Sequence, residues 1–230
     1  MIAENIKNIR ENVAKACFRI GRDPQSVELI AVSKTFGPDK VLEGFLAGQT
    51  DFGENYVQEL IEKRNALITN PIRWHFIGHL QSNKVKYIAE WIHLIHSVDS
   101  EGLAAEIDKR AQKSSRVIDV LIEVNTSEEA TKFGVKPEKA IDLMRYVDGL
   151  HHVNLKGLMT IGPFTDNKDE SRTSFKVLKN IFDTANSQRI LRQPMTILSM
   201  GMTHDFEIAI EEGSTMIRIG TAIFGLRTKQ

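Results

Sequence analysis

The stretch Leu29-Ile-Ala-Val-Ser-Lys34-Thr35 decides how this chain is read. Five apolar or small residues run up to a single lysine, the pattern of a buried strand too short to be a core helix. Lysine is almost never fully buried without a partner. At the end of such a strand it either reaches out to water or sits in a cavity where its amine is put to use. For an isolated lysine the first is commoner, so the rest of the chain must show whether Lys34 is isolated.

On the N-terminal side, Ile2, Ile6, Ile9, Val13, Cys17 and Ile20 recur at steps of three and four, which predicts an amphipathic helix ended by Gly21. On the other side, Pro38-Asp39 opens a helix through Val41, Leu42, Phe45 and Leu46, stopped by Gly48. The same alternation continues without any repeat of sequence. Strands are predicted over 51–55, 73–78, 94–99, 117–125, 155–161, 196–200 and 216–220. Between them fall helices over 56–68, 82–91, 101–112 and 175–186, one begun by Pro137, and one through Phe206 and Ile210. Eight strands with a helix after each but the last, and an extra helix in front, predict an α/β fold: a single (β/α)8 TIM barrel forming one domain over 1–230. A doubly wound open sheet is the second choice, since no Gly-x-Gly-x-x-Gly or phosphate-loop signature accompanies the strands.

Lys+Arg and Asp+Glu both number 30, so no overall field draws the chain to nucleic acid or to a membrane surface. Cys17 is the only cysteine, which rules out an intrachain disulfide and points to a reducing, cytoplasmic setting. The N-terminus breaks its apolar residues with Glu4, Lys7, Arg10 and Glu11, unlike a signal peptide, and no run reaches membrane-spanning length. The seven histidines show no metal-ligand spacing, so no metal is expected.

Barrel enzymes work at the C-terminal ends of their strands. Here those ends carry Lys34, Glu54-Asn55, His75 to Gly78, Ser97, Asn125, Met159-Thr160, Ser199-Met200-Gly201 and Arg218 to Thr221. Lys34 is therefore not isolated. After strands seven and eight, Ser199 to Thr203 and Gly220-Thr221 offer glycines for close backbone approach and hydroxyl donors, the place where such barrels often hold phosphate. Either segment alone reads as a tight turn with a helix cap. An amine across the mouth from a phosphate suggests a Schiff base with a phosphorylated aldehyde. A sugar-phosphate aldolase and a pyridoxal-phosphate protein both meet that description. Arg218, on the eighth strand, could face a pyridine nitrogen or simply pair with a carboxylate.

The strings Ala31-Val-Ser-Lys-Thr35, Phe52-Gly-Glu-Asn-Tyr-Val-Gln-Glu59, Trp74-His-Phe-Ile-Gly78 with Leu80-Gln-Ser-Asn-Lys84, Gly157-Leu-Met159, Ser199-Met-Gly-Met202 and Arg218-Ile-Gly-Thr-Ala-Ile-Phe-Gly225 resemble the pyridoxal phosphate homeostasis protein family. That resemblance implies the barrel of the alanine racemase N-terminal domain and pyridoxal 5'-phosphate (PLP) held as an aldimine on Lys34. It implies Asn55 near the cofactor ring, Ser199, Met200, Gly220 and Thr221 around the phosphate, Arg218 at the pyridine nitrogen, and Met159 lining the ring pocket. Thr203 stands where the family has serine, and His79 where it varies.

The implied function is to hold PLP and to buffer or deliver it without catalysis, with no catalytic residue. Amino acids and transient PLP-accepting apo-enzymes are the expected partners, and a monomer the expected state. Racemases of this barrel type add a tyrosine from a further domain, and only a short tail follows the last strand here. Tyr56, the tyrosine nearest the rim, is expected to pack against it. The alternatives are a PLP-dependent racemase-like enzyme and an aldolase that uses Lys34 without cofactor.

Overall fold

The computed structural model describes residues 1–127, 129 and 132–226; the last four residues of the predicted 1–230 domain lie outside them. The strands are β1 (Glu28–Val32), β2 (Asp51–Glu54), β3 (Arg73–Phe76), β4 (Leu94–Val98), β5 (Ile118–Glu123), β6 (Val153–Met159), β7 (Ile197–Ser199) and β8 (Met216–Ile219). They pair in sequence order, all parallel, and close into a barrel. The closing seam is the ladder from Glu28↔Met216 to Ala31↔Ile219 between β1 and β8.

The helices are α1 (Ile2–Arg19), α2 (Pro38–Leu46), α3 (Val57–Ala66), α4 (Glu101–Lys113), α5 (Ala140–Asp148), α6 (Lys168–Ser187), α7 (Phe206–Glu211) and α8 (Thr221–Phe224). α1 buries Ile2, Ile6, Ile9, Val13 and Cys17 of the predicted stripe, whereas Ile20 caps the helix and is exposed. No helix is long and apolar enough to cross a membrane, among the described residues.

Two predicted elements differ. The helix expected over 82–91 is a 3-10 helix, Ser82–Tyr87, followed by turns. Val85 within it and Ile88 just past its end are both buried and lie three apart, the period of that tighter helix. α6 begins at Lys168 rather than 175, because Asn167 caps it by accepting from the Asp169 N–H at 3.0 Å.

Strand alternation builds two cores. Outward residues such as Phe52, Trp74, Phe76, Ile95, Leu198, Ile217 and Ile219 pack with the helices in the large outer core. Ile30, Leu94, Leu121, Met159 and Met216 form a separate cluster inside the barrel, with Ile197 against it. Two residues further along four of these strands come His96, Glu123, Ser199 and Arg218, all buried, so the next interior layer is polar.

Gly157 in β6 lies beside an irregularity in the β5–β6 register, where Val120↔Leu155 is followed by Leu121↔Gly157. A Cβ there would come 1.8 Å from the Ile197 carbonyl oxygen. Gly157→Ala should therefore destabilise the fold by about 3 kcal/mol, measured by urea unfolding, whereas Gly102→Ala, where a Cβ would meet nothing within 4 Å, should not.

Candidate functional site

Lys34 sits in a β-turn leaving β1, closed by the Phe36 N–H donating to the Ser33 carbonyl at 3.1 Å. Thr35 takes the third turn position with φ +71°. That left-handed conformation suits glycine or asparagine and is strained for a β-branched residue. Strain of this kind persists only where surroundings hold it, and here they do. Glu59 Oε1 accepts from the Thr35 N–H at 2.5 Å and from Lys63 Nζ at 2.6 Å. Lys63 Nζ also donates to Ser33 O and to Glu54 Oε1, both at 2.7 Å. Ser33 Oγ donates to Glu54 Oε1 at 2.6 Å. Burial raises the Glu54 carboxyl to about 7, against the opposing pull of Lys63 and Ser33. Of this clamp only the Glu59–Lys63 spacing was legible as a helical ion pair.

The turn sets Lys34, half-buried, on the wall of a cavity of about 460 Å³ at the C-terminal ends of the strands. Asn55, Arg218, Gly220 and Thr221 share that wall, as do Thr203 and Asp205. Asn55 Oδ1 is buried with no hydrogen-bond partner among the described residues. The other three expected site residues do not line the cavity. Met159 lies fully buried in the apolar cluster inside the barrel. Ser199 is buried in the polar layer behind Arg218. Met200 turns into the outer core, and its N–H donates to Met216 O at 3.1 Å.

Arg218 Nη1 donates to Ser199 Oγ at 2.7 Å and Nη2 to Thr160 O at 2.8 Å. Burial lowers its pKa to about 10 against the attraction of Asp205 and Glu123, so it stays protonated at neutral pH. Asp205 was not foreseen. Its Oδ1 accepts from the Met202 N–H at 2.6 Å and so caps the turn after β7. That turn needs Gly201, which has φ +96° and where a Cβ would lie 2.6 Å from Ala209 Cβ.

A second cavity of about 720 Å³ shares Asn55, Ile77 and Ile161 with the first and is lined further by Tyr56, Lys84 and Glu123. Tyr56 does not pack as expected but stands 63% exposed. His79 stacks on Phe133 at 3.9 Å. Glu123 has its carboxyl raised to about 7 by burial, with Asp99 adding to the rise and Arg218 opposing it.

Below the polar layer, Asp51, His75 and His93 bring ligand-type atoms within 4.8 Å of one another, a proximity across strands that sequence spacing does not reveal. Arg73 holds both Asp51 oxygens, from Nε at 2.6 Å and Nη2 at 2.5 Å, so we read the group as an ion pair rather than a metal centre.

Two expectations follow. Lys63→Met, which strands Glu54, should cost about 3 kcal/mol in urea unfolding, and adding Glu54→Gln should recover most of it. Glu123 binds its proton more tightly folded than unfolded, where its pKa is near 4.5. It therefore removes stability as pH rises from 4.5 to 7. Melting temperatures from pH 5 to 8 should fall less steeply in Glu123→Gln.

Residues 5–228 match the family described as alanine racemase, N-terminal domain. The chain is 46% identical over 224 residues to the pyridoxal phosphate homeostasis protein of Aquifex aeolicus, covering 97% of each. It is 40% identical to the protein of that name from Haemophilus influenzae, covering 98% of this chain and 96% of that one. It resembles the solved structure of PipY from Synechococcus elongatus with PLP bound, at 35% identity and a TM-score of 0.85, covering 98% of this chain and all of that one. With 46% identity over nearly its full length, a closed parallel barrel and a lysine and arginine at one mouth, the chain belongs to the pyridoxal phosphate homeostasis protein family.

Proposed function

We propose that this protein binds PLP in the cavity at the strand ends, holds it as a Schiff base on Lys34, and buffers or delivers it without turnover of its own. The observation that carries this reading is the convergence of Lys34 and Arg218, from the first and last strands, on one cavity of about 460 Å³. PipY, 35% identical, is a structure with PLP bound. The residues present fit such a ligand. The cavity wall offers an amine for the aldehyde, a guanidinium with N–H groups beyond the two already donated, and an unpartnered Asn55 oxygen for a polar ring substituent. PLP, when bound, supplies an electron sink for amino-acid chemistry.

In this reading Lys34 Nζ condenses with the aldehyde and releases water. Gly220 and Thr221 hold the phosphate, Gly220 by allowing close backbone approach and Thr221 by its hydroxyl at the start of α8. Ser199 acts through Arg218, Met200 through the turn it enters, and Met159 by filling the barrel beneath the ring. Arg218 donates hydrogen bonds but does not hand over a proton, and so leaves the ring nitrogen uncharged and the electron sink weak. A weak sink suits holding over turnover. The adjoining second cavity leaves room for an incoming amine, an amino acid or the lysine of an apo-enzyme. A reducing cytoplasm and a monomer complete the proposal.

A racemase-like enzyme is the second reading, favoured by Glu123. Its carboxyl titrates near 7 at the wall of the second cavity, a range suited to moving protons.

Protein mixed with PLP should gain an aldimine absorption band that borohydride abolishes by reducing the imine to a stable secondary amine, which leaves the added mass on Lys34. Lys34→Ala should lose both. No band, or mass on another lysine, would sink the proposal. Arg218→Glu should shift the band, because a carboxylate favours a protonated ring nitrogen; an unchanged band with cofactor retained would place Arg218 elsewhere. Interconversion of L- and D-amino acids above the rate of free PLP, lost in Lys34→Ala, would favour the enzyme.

A further inference from the structure

The barrel interior holds a line of polar contacts. Ser199 Oγ lies 3.0 Å from His96 Nδ1, His96 Nε2 lies 3.0 Å from His75 Nδ1, and His75 Nε2 lies 3.0 Å from Asp51 Oδ1. Arg218 Nη1 adds the 2.7 Å bond to Ser199 at one end, and Arg73 grips Asp51 at the other. Ser199, His96 and His75 are buried to within a hundredth of their surface. The members come from β2, β3, β4, β7 and β8, so the line runs through the barrel rather than along any strand.

The two ends dictate its polarity. Arg218 can only donate, and ionised Asp51 can only accept. Burial alone would raise the Asp51 carboxyl, but the bonds from His75 and Arg73 outweigh it and hold it below the usual range. His75 must then donate from Nε2. Burial lowers the pKa of both histidines, in His75 against the pull of Asp51, so both rings are neutral. A neutral His75 presents a bare Nδ1, which only the Nε2–H of His96 can fill. His96 in turn presents a bare Nδ1, which only the Ser199 hydroxyl can fill. Each contact then has one hydrogen and each group keeps one role. The reverse arrangement needs an imidazolium at His75 and leaves the Ser199 hydrogen without an acceptor among the described residues. Both are costly in a buried site.

We propose that Ser199, His96, His75 and Asp51 form a one-way hydrogen-bond chain that holds the Arg218 guanidinium in place towards the cofactor, which makes the two histidines positioning residues. The chain accounts for an otherwise idle set of buried polar groups. It also gives Ser199 a task although it lies off the cavity wall. The part concerning the cofactor rests on the reading of Arg218 given above.

The test begins with nitrogen-15 NMR of the cofactor-free protein at neutral pH, with the two ring signals assigned by His75→Asn and His96→Asn. Both rings should be neutral with hydrogen on Nε2. A Nδ1–H tautomer or an imidazolium at either position overturns the chain, whether or not PLP binds. Next, Ser199→Ala, His96→Leu and their double variant are titrated with PLP while the band is recorded. Each single change should weaken binding about tenfold, the loss of one hydrogen bond in a charge-assisted series. The double variant should be no weaker than the worse single, because one broken link already disconnects the chain. Additive losses, or no loss, overturn the positioning role. If the wild type binds no PLP, the proposed function fails, and the tautomers still decide the chain. They decide it equally where a variant does not fold.

Discussion

Everything at the barrel mouth depends on β1 bonding to β8. The ladder from Glu28↔Met216 to Ala31↔Ile219 closes the sheet and sets Ile30 opposite Arg218. Lys34 leaves one of these strands and Gly220-Thr221 leave the other, so the two ends of the chain meet around a single cavity. The loops between strands need only be long enough to return along the outside. Because the contacts are backbone hydrogen bonds in a parallel sheet, the strand that carries Arg218 and the strand that leads to Lys34 are joined directly.

A guanidinium inside a barrel is expensive unless every neighbour helps. Asp205 and Glu123 supply opposing charge, and Ser199 and Thr160 accept two of its hydrogens. An apolar cluster of Ile30, Leu94, Leu121, Met159 and Met216 fills part of the barrel interior, and the polar line from Ser199 to Asp51 runs beside it. A similar division of labour holds at Lys34. The strained Thr35 turn is kept by Glu59, and Glu59 is kept by a lysine that also neutralises Glu54. These clamps lie behind the cavity rather than in it, and they bear on the direction in which each working side chain points.

Strand order and strand ends were legible in the sequence because alternation and apolar runs depend only on neighbours along the chain. Lys34, Asn55, Arg218, Gly220 and Thr221 were found by that rule and share one wall. The rule fails where a strand is three residues long, as in β7, since counting to its end does not tell inward from outward. Ser199 therefore faces the interior and Met200 the helices. The start of α6 was hidden because its first buried residues are Ser171 and Ser174, small polar side chains that leave no hydrophobic period. Asp51, His75 and His96 meet through register across β2, β3 and β4, which no spacing within one segment encodes. A threonine at positive φ runs against its own preference, so Thr35 is visible only once the turn is built.

The seam between first and last strands has one more effect. An open sheet of eight short strands would present two rows of unsatisfied amides and carbonyls, ready to recruit a strand from another molecule. Here each strand has a neighbour on both sides. The closed sheet thus leaves none of the eight described strands with a backbone edge on which fibrils or mispaired copies could grow.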